Sequence, residues 1–267
     1  IFELLVHTSG IPAWYPLYLV SEELEKKIEF IGGLKPKFER NQGVEYSCLN
    51  YIILGELIRR VSGMSLNEFS RRRVFEPLSM KETFFLPPDR FKERFVTTEI
   101  GNGYEKETSA QYVQGVKVEW REYPIRGEVH DGNSFYGFGG VSGNAGLFST
   151  ARDIAKFIRS ILTKKSVISD KSIDLMIENH TLHLDQGRGL GWAIASKFAG
   201  KNFSRKTFGH TGFTGVSLYA DPQTELFVIL LTNAVHPKVR RGILDQVRPE
   251  VCNLAYQEAI SKSKSRR

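Results

Sequence analysis

The stretch "FGHTGFTGVSLYADPQTELFVILLTN", residues 208–233, decides the fold. It holds two apolar runs, "GFTGVSLYA" (212–220) and "ELFVILLTN" (225–233), separated by Asp221-Pro222-Gln223-Thr224. Strand-like runs on either side of such a turn predict a β-hairpin. Upstream, "GLGWAIA" (189–195) predicts a third strand. The run 225–233 is apolar nearly throughout, which predicts a central strand covered on both faces. After Pro237 a helical segment to about Ile260 is expected to cover one face. The opening "FGHTGFTG" (208–215) is the odd part. It places three glycines and one histidine where glycine weakens a strand and often marks close backbone approach.

Working outward, the preceding residues read as helices and loops. "SEELEKKIEF" (21–30) has helical spacing behind a serine cap. "YSCLNYIILGELIRRVSG" (46–63) carries a broad apolar stripe, and Gly63 is placed as its stop. Ser65 and Glu68 form a capping box for a helix through about Phe75, ended by Pro77. Periodicity fades from Lys81 to Ser149, where glycine, asparagine and aromatic residues dominate. A loop region this long predicts a binding wall or lid. Thr150 and Asp153 open a helix over "ARDIAKFIRSIL", and Ser169 or Asp170 caps "KSIDLMIEN". The expected fold class is α+β of the α/β sandwich type: an antiparallel sheet with flanking helices plus a helical, loop-rich subdomain. The chain is expected to be a single domain, 1–267, in which 1–185 is mostly helix and loop and 186–267 holds the antiparallel strands and a C-terminal helix.

Bulk composition narrows the classes. The chain has 267 residues and a formal net charge of +7. Its basic clusters are Arg71-Arg72-Arg73, Lys238 to Arg241 and the tail "SKSKSRR". No nucleic-acid-binding signature accompanies them, so they read as solvated faces and no nucleic-acid partner is expected. The longest clean apolar run, Leu226 to Leu231, has strand length, so no membrane span is expected. Two cysteines, Cys48 and Cys252, make no disulfide framework. The compartment stays open, cytoplasmic or exported.

No G-x-S-x-G nucleophile elbow occurs. The single S-x-x-K, Ser261 to Lys264, lies in the charged tail and reads as chance. His180 and His183 have ligand-like spacing, but no third ligand or H-E-x-x-H joins them, so neither metal nor cofactor is expected. Cys48, alone on an apolar helix, reads as buried rather than nucleophilic. Two polar triplets remain: Tyr46-Ser47-Cys48 at a helix start and His210-Thr211-Gly212 in the glycine-rich stretch. Each has a plain structural reading: Tyr46 as a core aromatic, Ser47 as a helix cap, His210 as a satisfied histidine. Each also has a chemical one. A tyrosine hydroxyl at a helix N-terminus sits in positive potential and is a candidate base. Glycines along a strand leave room for an extended ligand that presents its carbonyl to backbone N–H groups.

Nearly the whole chain resembles the serine beta-lactamase-related hydrolases, which include class C beta-lactamases, low-molecular-weight penicillin-binding proteins and related esterases. "LLVHTSGIP" is similar to the turn after the nucleophile, and "YSCLNYIILGELI" to the tyrosine motif. "GGVSGNAGLFSTARDIAKF" resembles the wall and following helix, and "GLGW" and 208–233 resemble the sheet strands. The resemblance implies an acyl-enzyme formed on the serine of an S-x-x-K, with Tyr46 as general base and acid. It implies that His210, Thr211 and Gly212 occupy the K-T-G position. Phe213 would give one oxyanion-hole N–H, and the serine's own amide the other. Substrate contacts are expected from Ser47, Cys48, Thr211, Gly212 and Phe213. The implied substrate is a small ester, amide or lactam.

Three departures from the pattern set the expectations. The S-x-x-K is expected upstream of residue 1, since the chain begins "IFELLVHTSG" inside an expected helix ending at Gly10, so the 267 residues alone are expected to be inactive. In the family, N-terminal strands complete the sheet, and without them a bare strand edge and apolar surface are expected. Cys48 stands where many relatives have asparagine, and a thiol poorly replaces an amide that both donates and accepts. His210 replaces the usual lysine with an imidazole only partly charged near neutral pH. The last two favour an esterase-like or broad hydrolase over a dedicated beta-lactamase. The alternative is a pseudoenzyme or binding module that keeps the cleft without the serine.

Overall fold

A computed structural model describes residues 1–113, 115 and 117–265, the side chains of 263–265 excepted. The chain forms two compact units. One comprises Ile1–Thr150 with Val235–Val239, the other Ala151–Ala234 with Arg240–Arg267.

The first unit is helical and loop-rich. It contains α1 (Phe2–Leu5), α2 (Leu24–Gly33), α3 (Cys48–Ser62), α4 (Leu66–Ser70) and α5 (Gly103–Ser109). Leu17, Ile31, Leu49 and Ile52 form its main apolar cluster. Helix α3 starts and stops where its sequence dictates. Ser47 caps it by accepting the Asn50 N–H, and Gly63 closes it at φ +69° with its N–H on the Arg59 carbonyl. Ser65 likewise caps α4, which runs on as a π-helical turn over Arg71–Phe75. Ser21 does not cap α2. Its hydroxyl accepts the Glu23 N–H in a local turn, and the helix begins at Leu24.

The loop after Ser134 meets α3 backbone to backbone. A side chain on Gly143 would lie 1.8 Å from the Tyr51 carbonyl oxygen, and one on Gly55 would lie 3.0 Å from the Gly143 nitrogen. Glycine at both positions is a packing requirement.

The second unit is the expected sandwich. It contains α6 (Ala151–Leu162), α7 (Asp170–Ile177), β1 (Ala193–Ile194), β2 (Phe208–Thr211), β3 (Val216–Asp221), β4 (Leu226–Leu231) and α8 (Val247–Ser265). The strands form one antiparallel sheet in the order β1-β2-β3-β4. Period-two alternation divides its faces. Phe208 and Ala220, paired across β2 and β3, pack with Ile158, Ile161, Ile173 and Ile194. Tyr219, one residue along, packs on the other face with Ala199, Phe203 and Cys252 of α8. Ser169 caps α7 through the Ser172 N–H. The β3–β4 turn is held by Asp221, whose carboxylate accepts from Ser204 N–H, Ser204 Oγ and Gln223 N–H at 2.9, 2.7 and 3.0 Å.

Two expectations about the sheet are corrected. Residues 212–215 are not strand. They form the turn joining β2 to β3, with the Gly215 N–H on the Gly212 carbonyl at 3.0 Å. Strand β4 is covered on both faces, by Phe227 on one and by Leu226 and Val228 on the other, yet it ends the sheet order instead of lying inside it. Coverage of two faces produces the same apolar run as a central position. Its outer edge is therefore open among the described residues, and Leu231 is 46% exposed. The tail serine of the lone S-x-x-K lies in α8, with its hydroxyl on the Glu258 carbonyl; the Lys264 side chain falls outside the described residues.

Candidate active site

The first group of candidate residues surrounds the start of α3. The turn His7–Ala13 embraces this helix end through a dense set of hydrogen bonds. Ser47 N–H donates to His7 Nδ1 at 3.1 Å, Ser47 Oγ to the Pro12 carbonyl at 2.7 Å, and Cys48 N–H to the Ala13 carbonyl at 2.8 Å. Ser9 Oγ donates to Asn50 Oδ1 at 2.8 Å, and Tyr51 Oη to the Leu5 carbonyl at 3.0 Å. Two of these bonds, from Ser47 and Cys48, satisfy backbone N–H groups at the helix start.

Tyr46 stands just outside the cap, 46% exposed, with its ring 4.8 Å from that of His7. It is thus a surface aromatic, not a core one. Ser47, expected among the substrate contacts, is fully buried, and its hydroxyl is occupied in both directions by Pro12 and Asn50. Cys48 is half-buried. Burial first, then the negative charge of Asp131, pushes its thiol up to about 12 against a contribution from the Asn144 amide. A thiol held protonated in this way is not a nucleophile. Asn144 Oδ1 accepts from Ser142 Oγ at 2.7 Å, while its buried amide nitrogen closes no short hydrogen bond.

Beneath Cys48 lies a set of acids absent from the sequence reading. Burial, followed by the charge of Asp131, raises Glu105 to about 7. Tyr18 Oη donates to Glu105 Oε1 at 3.0 Å, and Ser134 N–H donates to Asp131 Oδ1 at 2.7 Å. Asp131 is itself raised by burial. Glu105 lies in the short helix α5 and Asp131 in the loop before Asn133, and neither carries a sequence signal; only their convergence in space marks them.

The second group lies at the β2–β3 turn. His210 faces Leu218 across the ladder and Thr211 faces Ser217. His210 Nδ1 lies 2.7 Å from the Thr211 carbonyl. A carbonyl only accepts, so Nδ1 carries the proton and the neutral ring has its lone pair on Nε2. Burial lowers the imidazole below its usual value, and Arg188 adds to this, so His210 is neutral at pH 7. Phe213 sits at the turn tip, 53% exposed.

The glycines of 208–215 have a different cause from the one their sequence implied. A side chain on Gly209 would lie 2.1 Å from the Leu218 carbonyl oxygen and 2.4 Å from Tyr219 Cδ1. One on Gly212 would meet Val216 Cγ2 at 2.5 Å. Gly215 has φ +115°, and its added carbon would lie 2.6 Å from the Ala234 nitrogen. The space beside each is filled by the protein's own sheet and turn, so packing within the protein is enough to require glycine at these positions.

His180 Nε2 lies 2.7 Å from the Leu175 carbonyl, and among the described residues no group of three or more His, Cys, Asp or Glu side chains is placed to hold a metal ion. Among the described residues no helix is long and apolar enough to cross a membrane.

Comparison with known proteins places this arrangement. The chain is 30% identical to an N-acetylmuramyl-L-alanine amidase of Bacillus subtilis (strain 168), over 90% of this chain and 57% of that protein. It thus spans under three fifths of the length of the curated relatives it matches. In structure it is similar to EstCE1, a hydrolase with promiscuous acyltransferase activity (TM-score 0.67, 19% identity, 95% of this chain and 71% of that one). A beta-lactamase from Mycobacterium bovis gives a TM-score of 0.62 at 19% identity, over 96% and 73% of the two chains. Those two likenesses speak to the fold alone. The family model described as Beta-lactamase matches residues 1–252, and the chain belongs to this family of serine hydrolases.

Proposed function

We propose that the protein is an acyl-enzyme hydrolase of esterase-like or broad carboxylic ester specificity. On this reading the acyl group is carried by the serine of an S-x-x-K, and Tyr46 moves the protons. Proton transfer by a positioned side chain contributes roughly 10²–10⁴-fold to such reactions. The exposure of Tyr46 beside the α3 N-terminus supports this role, because a helix start favours the phenolate. The Phe213 N–H, on an exposed turn tip, is the candidate donor to the oxyanion. Thr211, Gly212 and the neutral His210 line the substrate's path as polar hydrogen-bonding groups rather than as an anion clamp.

The observation that carries the ester preference is the state of Cys48. A protonated, half-buried thiol donates weakly and accepts weakly, so it cannot hold a substrate amide as an asparagine side chain would. An ester asks less of that position. The amidase name belongs to the Bacillus subtilis relative, over little more than half of its length. The test is turnover by the full-length protein of short-chain p-nitrophenyl esters against nitrocefin. Faster ester turnover is expected, and faster nitrocefin hydrolysis overturns the preference.

A further inference from the structure

His7 packs against the α3 start without being its cap, which is Ser47. It is 3% exposed, and its backbone is held at φ +62°, a region that non-glycine residues adopt with strain. Its Nδ1 faces two donors, Ser47 N–H at 3.1 Å and Asn50 Nδ2 at 3.5 Å. The orientation of Asn50 is fixed from its other side by Ser9 Oγ. Two donors converging on one ring nitrogen require a lone pair there, so the ring proton resides on Nε2. The same ring lies between two tyrosines, 4.8 Å from Tyr46 and 5.1 Å from Tyr51. The His7 carbonyl accepts the Glu45 N–H at 2.9 Å, so main chain and side chain together grip residues 45 and 47 on either side of Tyr46.

We infer that His7 is a positioning residue for Tyr46: its Nδ1 holds the Ser47 amide and its ring supports the phenol, which fixes where the hydroxyl is delivered. The inference rests on Tyr46 as the proton-transfer group. A displacement of about 1 Å at a reacting group can remove roughly 100-fold in rate.

Two substitutions in the full-length protein separate the acceptor from the ring. His7→Asn keeps an acceptor near the Nδ1 position and tolerates the left-handed backbone. His7→Phe keeps an aromatic ring and leaves the Ser47 N–H unanswered. With p-nitrophenyl acetate, kcat of His7→Phe is expected to fall roughly 10- to 100-fold with KM little changed, while His7→Asn stays within about threefold of wild type. Exchange of the Ser47 amide hydrogen, followed by NMR, should accelerate at least tenfold in His7→Phe and little in His7→Asn. If His7→Phe does not fold, His7→Gln takes its place, because its acceptor falls near the Nε2 position. Wild-type kcat and wild-type Ser47 exchange in the acceptor-less variant, or equal damage in both variants, overturn the assignment. If the wild-type protein turns over no ester, the functional reading fails. Ser47 exchange and the ¹³C shift of the Tyr46 ring then still decide whether His7 positions that residue.

Discussion

The start of α3 and the β2–β3 turn are both short polar triplets, but they are built by opposite means. The first is assembled from side chains: an imidazole, hydroxyls and an amide, reaching between the 7–13 turn and the helix. The second is assembled from main chain, with glycines where strands and turn leave no space for a Cβ. A region made of side chains can be altered without loss of fold. A region made of main chain resists alteration because each change presses on backbone. Substitution experiments should therefore separate chemistry from stability in the first region and fuse them in the second.

The largest effect is expected from Tyr46→Phe. It should lower kcat of the full-length protein on p-nitrophenyl acetate roughly 10²–10⁴-fold. The melting temperature should stay within a degree or two of wild type, because the side chain is 46% exposed. A matching loss of stability would show that Tyr46 is structural and would erase the contrast. Next in size is Gly209→Ala, whose new methyl would press on the Leu218 carbonyl and Tyr219. It should destabilise the fold by about 1–3 kcal/mol, read by urea denaturation, with activity lost only as folding is lost. An alanine that folds as well as wild type would show that the turn region has more room than its contacts allow.

Smaller, and back at α3, Cys48→Asn restores an amide beside Asn144. The ratio of amide to ester turnover should rise roughly five- to tenfold, the worth of about one hydrogen bond. An unchanged ratio would remove Cys48 as the cause of ester preference. The smallest effect concerns His210, whose imidazole is lowered by burial in the folded state. The unfolded chain then binds this proton more readily than the folded one. Stability conferred by the neutral ring is accordingly lost as pH falls from about 6.5 toward the folded value. His210→Asn, which keeps a donor for the Thr211 carbonyl, should flatten that slope between pH 7 and 5 in thermal melts.

What was legible in the sequence was what is decided locally. Ser47, Gly63, Ser65 and Ser169 punctuate helices through bonds that span four residues or fewer, and the Asp221–Thr224 turn closes its hairpin the same way. Positions decided by distant partners were not legible. His7 acts on a residue forty positions away. The Glu105 and Asp131 pair meets only because the short helix α5 and a loop more than twenty residues later fold together. The edge position of β4 depends on strand order, which no single run encodes. The glycines of 208–215 show a subtler limit: their presence was visible, but whether ligand or protein fills the space beside them was not.

The contact between Gly55 and Gly143 carries its own consequence. With no side chain between them, loop and helix share one main-chain surface, and the residue after Gly143, Asn144, cannot drift away from Cys48 by gradual loop adjustment. Change that keeps this corner intact is then confined to side chains, those at 48 and 144 among them. On the proposed reading, substrate preference would shift here in discrete steps, one residue type at a time, instead of sliding continuously with loop length.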